Sequence, residues 1–214
     1  KTIKEAKVLG NLMFQIGQKF DLEVIPAYTG MDQPLGKTAG LYCEVLESIE
    51  FLKGNFAIDL YDVVFHLFQK FNLKENTKSK FDEIINSGKA LEKFQQLVEI
   101  QGGNFTLLEN NNLNKPRFIH DCFMNESGYV ESMNTRKIGF AISQLGAGRE
   151  NKKSKLDYSC GVEFHSKIGE KIDQKTPVFT IFGNDLEKLK IAKEKIISAI
   201  LISSTKTKVY NSIL

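Results

Sequence analysis

The texture of the chain changes once, and that change limits the fold more than any single motif. Through residue 108 the apolar residues recur at helical spacing. Beyond the polar, turn-rich stretch ENNNLNKP (109–116) they fall into short strand-like pieces. In the first segment Leu9, Leu12, Met13, Ile16 and Phe20 mark one helix, and Leu41, Val45, Ile49 and Leu52 another that stops near Gly54. Leu60, Val63, Val64, Leu67, Phe68 and Phe71 mark a third, with Asp59 as its expected N-cap. Shorter helices are predicted around Phe81–Ile85 and from Ala90 to Val98. LEVIPAY (22–28), an apolar run bounded by turn residues, is predicted as a buried strand. In the second segment FIHDCFM, GYVESM, CGVEFH and PVFTIF read as strands. Two helices interrupt them: one through Ile138, Ala141, Ile142 and Leu145, one through Leu189, Ala192, Ile196 and Ile200. The expected fold class is α+β: a mostly helical segment with one strand over 1–108, a linker at 109–117, and a small α+β domain over 118–214.

With 42% hydrophobic and 26% charged residues among 214, the chain resembles an average soluble protein and a packed core is expected. A net charge of +3, with Lys interleaved among Glu and Asp, argues against nucleic acid as a partner. No run approaches the ~18 apolar residues of a membrane helix. The three cysteines (Cys43, Cys122, Cys160) are far apart and suggest neither a disulfide framework nor a zinc site, which fits a reducing cytoplasm. The sequence opens at Lys1, already in a helical pattern and without Met, so a further N-terminal portion is expected.

TGMDQPLGKTAG (29–40) reads almost like a phosphate-binding P-loop. The Walker pattern places four residues between its first glycine and Gly-Lys-Ser/Thr, whereas five separate Gly30 from Gly36. Pro34 also lacks the N–H that a phosphate cradle uses. A second chemistry suits the loop better. Its carbonyls, with a carboxylate from the helix carrying Glu44, Glu47 and Glu50, could form the all-oxygen cage that hard cations prefer. The plain alternative is a strand-to-helix connection with solvated glutamates. LGAGRENKKSKLD (145–157) offers either a mobile flap, with Gly146, Gly148 and Arg149 facing anions, or an ordinary helix end and surface loop. His66, His120 and His165 have no partner at metal spacing and read as structural. KIGEKIDQKTPVFTIF (167–182) resembles half of a biotinyl or lipoyl carrier motif. GNDLEKLK follows it where a carrier would present its modifiable lysine, so a shared sandwich framework is the better reading.

Three ordered stretches carry a wider resemblance: MDQPLGKTAGLYCEVLESIEFLKG, SGKALEKFQQLVEIQGGN (87–104), and the run from Gly128 to Phe182. Together they resemble the C-terminal half of the pyrimidine-nucleoside phosphorylases, whose C-terminal domain is of the barrel-sandwich-hybrid type. The resemblance implies reversible phosphorolysis: phosphate attacks the anomeric carbon of a pyrimidine (deoxy)nucleoside, giving the free base and (deoxy)ribose 1-phosphate. The family's phosphate loop and its nucleoside-binding Arg and Ser-x-x-x-Lys residues are not found here. No catalytic or substrate-binding residue is therefore assigned to this chain, and the chain alone is expected to be inactive. The resemblance also implies a potassium-type site, with carbonyl ligands at Leu35 and Thr38 and a carboxylate at Glu47, no organic cofactor, phosphate as co-substrate, and a homodimer for the longer protein. Gly30 stands where the family usually has Asp. A non-catalytic carrier or binding module, and a phosphorylase of nucleoside monophosphates, are the competing readings.

Overall fold

The computed structural model describes residues 2–71, 77–109, 113–149, 152, 154–207 and 210–214. The first helix, α1 (Ile3–Lys19), begins at a capping box: Thr2 accepts from the Glu5 N–H, and the Glu5 carboxylate accepts from the Thr2 N–H at 2.8 Å. Its buried positions are two glycines, Gly10 and Gly17, while Leu9, Leu12, Met13 and Ile16 stay exposed. A Cβ on Gly10 would collide with the Tyr28 hydroxyl, and one on Gly17 with Val24. Segment 22–28 thus folds back across the glycine face of α1.

That contact corrects the strand predicted at 22–28. The segment has no strand conformation, and its apolar residues pack on a helix instead. A strand needs a neighbour to satisfy its N–H and C=O groups. Here the pairing is limited to an isolated bridge between Thr29 and Ile213. Pro26 supplies no donor at all.

The chain then forms β1 (Thr38–Gly40), α2 (Tyr42–Leu52), α3 (Ile58–Phe71), α4 (Thr77–Asn86), α5 (Lys89–Ile100) and the short α6 (Phe105–Leu108). Helices α2 to α5 close on an aromatic cluster in which Phe51, Phe81 and Ile85 are buried and Tyr61, Phe65 and Phe68 pack around them. Phe81 lies 5.1–5.4 Å, centroid to centroid, from the rings of Tyr61, Phe65 and Phe68, a spacing that favours tilted and edge-on aromatic pairs. Asp59 is not the N-cap of α3. The helix starts at Ile58, which leaves Asp59 inside its first turn.

The second segment contributes β2 (Phe118–Cys122), β3 (Gly128–Met133), α7 (Thr135–Ile142) with a π turn over Ser143–Ala147, β4 (Gly161–Phe164), β5 (Lys171–Ile172), β6 (Phe179–Gly183), α8 (Leu186–Ile197) and β7 (Ile200–Ser203). Ile200, expected at the end of the last helix, opens β7, because Ser198 ends α8 and Ile200 pairs with Met133. The strands form two antiparallel sheets, β1-β4-β6-β2 and β5-β3-β7. Alternating residues of β6 (Phe179, Ile181) face Val162 of β4 and Leu189, Ala192 and Ile196 of α8 in one fully buried core. The architecture is the expected α+β class. The four-stranded sheet draws its edge strand, β1, from the helix-rich first segment, three residues of which pair with β4.

Candidate functional site

The loop from Gly30 to Thr38 is held on every side by distant chain. The Gly30 N–H donates to Ser212 O at 2.9 Å, the Thr135 hydroxyl to Met31 O at 2.7 Å, and the Ile168 N–H to the Gln33 side chain at 3.0 Å. A Cβ on Gly30 would overlap the Tyr210 hydroxyl, whose oxygen also accepts from the Asp32 N–H at 3.3 Å. Glycine at 30 is therefore a packing requirement here.

At the far end of the loop Gly36 turns the chain with φ +69, and its Cβ position lies 2.6 Å from a Glu47 carboxylate oxygen. Both the left-handed conformation and the close approach call for glycine. The Glu47 carboxylate reaches back from α2 and accepts from the Lys37 N–H at 2.6 Å, the Thr38 N–H at 2.9 Å and the Thr38 hydroxyl at 2.7 Å. It faces the loop rather than bulk water. The Phe164 N–H donates to Lys37 O at 2.7 Å, and Thr38 stands opposite Glu163. In an antiparallel ladder hydrogen-bonded and non-hydrogen-bonded pairs alternate. The N–H and C=O of Thr38 therefore turn away from β4, toward the side where Glu47 lies.

Leu35, Thr38 and Glu47 line one cavity of about 310 Å³, together with Glu44, whose carboxylate accepts from the Gly40 N–H at 2.8 Å. Three acceptor positions on Glu47 are used by the loop, out of about four that a carboxylate offers, which leaves room for one further electropositive partner. The ligands that Leu35, Thr38 and Glu47 could offer, two main-chain carbonyls and a carboxylate, are oxygens, the type hard cations prefer. No group of three or more His, Cys, Asp or Glu residues suited to a metal occurs among the described residues. A larger cavity, about 670 Å³, is lined by Gln33, Lys37, the start of α3, the 164–170 segment and Tyr210.

Nothing in the local sequence pattern marks Lys167. Its amine, from the turn after β4, reaches Pro34 O at 2.5 Å, Gly36 O, and the Asp59 carboxylate at 3.0 Å. More than a hundred positions separate Lys167 from each partner, so no local pattern could have revealed the contact. Gly146, with φ +142, is buried, and its carbonyl accepts from the Asp157 N–H at 3.0 Å. The Gly148 N–H donates to Ser143 O, and Arg149 is exposed. Residues 150, 151 and 153 of the expected flap lie outside the described residues. His165 bonds Thr180 at 2.7 Å, and Thr180 donates to Asp121 at 2.7 Å, an exposed chain across β4, β6 and β2. All three thiols are pushed up by burial, Cys43 and Cys122 to about 11 and Cys160 to about 12, so they are inert near neutrality.

Residues 129–203 match the pyrimidine nucleoside phosphorylase C-terminal domain. A thymidine phosphorylase of Metamycoplasma hominis is 32% identical over 214 residues, covering 96% of this chain and 78% of that protein. Pyrimidine-nucleoside phosphorylases of Bacillus subtilis (31% identical) and Staphylococcus aureus (32%) each align over 192 residues, 86% of this chain. The chain spans only 44% of the length of those two relatives. Extensive identity along nearly the whole chain, joined to a C-terminal domain built on the two antiparallel sheets, makes this chain a member of the thymidine and pyrimidine-nucleoside phosphorylase family.

Proposed function

We propose that the chain is the C-terminal portion of a pyrimidine-nucleoside phosphorylase, a pentosyltransferase that exchanges the base of a pyrimidine (deoxy)nucleoside for phosphate. The observation that carries this reading is that Leu35, Thr38 and Glu47 converge on one cavity in a chain whose relatives are named for that reaction. Phosphorolysis needs no covalent enzyme intermediate. It needs the phosphate and the nucleoside held in line and the developing charge stabilised. The loop's part is support: Glu47 fixes the 36–38 backbone, and the oxygens of Leu35, Thr38 and Glu47 would hold a potassium-type cation. Bound there, that cation would supply fixed positive charge beside the phosphate. The groups that contact phosphate and nucleoside belong to the part of the relatives that this chain does not span. Division into 1–108, a linker at 109–117 and 118–214 suits the two separate cores. Arg149, past the fixed turn at Gly146, is the candidate to face an anion across a cleft.

Homodimerisation of the longer protein and a cytoplasmic location belong to the same reading. No helix among the described residues is long and apolar enough to cross a membrane, and the three cysteines are free. The carrier alternative is not favoured, because β6 runs at Gly183 directly into α8, whose Asp185 cap occupies the place of a lysine-bearing hairpin. The monophosphate alternative is not favoured by the names of the relatives either.

The test is an assay of phosphate-dependent release of thymine or uracil from thymidine or uridine. The chain alone should give none, and turnover by it would place the reactive groups here and overturn the reading. In parallel, potassium chloride should raise the melting temperature relative to choline chloride. An identical melting temperature in the two salts would remove the ion site.

A further inference from the structure

Outside the Leu35, Thr38 and Glu47 set, a second charge meets the loop: the ammonium of Lys167, reaching it from the turn after β4. A lysine has three N–H donors, and three oxygens meet this one: Pro34 O, Gly36 O and the Asp59 carboxylate. Both side chains of the ion pair are only 18% exposed. The amine, the carbonyls and the carboxylate come from three separate elements: the turn after β4, the loop, and the first turn of α3. The carboxylate is itself positioned, since its other oxygen accepts from the Leu60 N–H at 2.9 Å. One residue further along, the Ile168 N–H grips the Gln33 side chain. This is a small oxygen cage around a compact, fixed cation.

We propose that Lys167 is a positioning residue that serves as the loop's resident cation: its ammonium gathers the Pro34 and Gly36 carbonyls against Asp59 and so sets the path into the Gly36–Thr38 turn that Glu47 caps. The cage suits a primary ammonium, because each of its three oxygens can accept one of the three N–H donors. It shares no residue with the Leu35, Thr38 and Glu47 set, and it holds whether or not an external ion binds there. Without the amine, two carbonyl dipoles and a carboxylate would face one another and the loop would open. A free ammonium or methylammonium ion would then take the same place.

Hydrogen exchange at three amides reads the clamp in this chain: Lys37 and Thr38, held by Glu47, and Ile168, held by Gln33. Lys167→Met keeps the apolar stem and removes the charge. It should accelerate exchange at all three at least about tenfold, the loss expected when charge-assisted hydrogen bonds go, while the amides of β6 stay protected. Lys167→Ala should do the same, and methylammonium should restore protection where tetramethylammonium, which has no N–H, does not. Asp59→Asn, which keeps both the amine and the helix, should loosen the same amides and provides the measurement if the Lys167 variants unfold. Unchanged exchange in Lys167→Met or in Asp59→Asn would overturn the proposal, as would a loss in Lys167→Ala that methylammonium fails to reverse. Because this readout uses no potassium, a wild-type chain indifferent to potassium would sink the ion site and leave the clamp standing.

Discussion

Glu47→Ala is the substitution that tests the loop most directly. It removes one carboxylate and strands three donors: the Lys37 N–H, the Thr38 N–H and the Thr38 hydroxyl, now 2.6–2.9 Å from their acceptor. A hydrogen bond to a charged group contributes about 1.5–3 kcal/mol. Lys37 is exposed, so its N–H recovers water and most of its share is discounted, and the two bonds of half-buried Thr38 keep about two thirds of theirs. The sum is roughly 2–4 kcal/mol. Helix propensity does not add to it, because alanine favours helix at least as well as glutamate. At about 2–4 °C per kcal/mol for a chain of this size, the melting temperature should fall by roughly 5–15 °C. Glu47→Gln should fall between wild type and Ala, since it keeps one carbonyl oxygen but turns an NH₂ toward an N–H donor. Differential scanning fluorimetry with hydrogen exchange at 37 and 38 gives both the global and the local readout. A shift below about 2 °C with unchanged exchange would mean that the carboxylate does not hold the loop.

Gly36→Ala should cost about 1–2 kcal/mol for the left-handed backbone alone. It should cost more for a Cβ placed 2.6 Å from the Glu47 carboxylate, and Glu47→Ala should relieve part of that in a double-mutant cycle by thermal melting. Gly30→Ala should also destabilise, because its Cβ lands on Tyr210. Pairing it with Tyr210→Ala should be less damaging than the two single changes summed, again by melting temperature. Stability should decline at alkaline pH. Burial, reinforced by the Asp82 carboxylate, raises Tyr61 from 10.0 to about 12, so the unfolded chain loses that proton above pH 10 while the folded one keeps it until about 12. The thiols act in the same direction from about pH 9 upward. Urea midpoints measured from pH 8 to 12 should therefore fall with pH, and Tyr61→Phe should flatten the part above 10.

The loop from Gly30 to Thr38 is where the two parts of the chain meet. Its far end enters the sheet as β1, its middle is gripped from the turn after β4, and α2 caps it through Glu47. A displacement of the segment after β4 must therefore either carry the loop with it or break the Lys167 contacts.

Hydrophobic periodicity alone determined α2, α3, α4, α5, α7 and the strands at 118–122, 128–133, 161–164 and 179–183, because each buries one face and the spacing of that face is a local property of the chain. The family resemblance, and not periodicity, singled out Leu35, Thr38 and Glu47; local rules gave only the loop and the helix that follows it. Tertiary structure decided what depends on a distant partner. LEVIPAY has the composition of a strand but no strand beside it, so it lies on α1. Thr38–Gly40 is too short to be read as a strand and became one because β4 offers a free edge. Asp59 looks like a helix cap until a lysine 108 positions away claims its carboxylate. Gly30 looks like a turn residue until Tyr210 is found packed on it. Side-chain periodicity reports which face of an element is buried, but it does not say which residue, a hundred or more positions away, will be waiting on the other side.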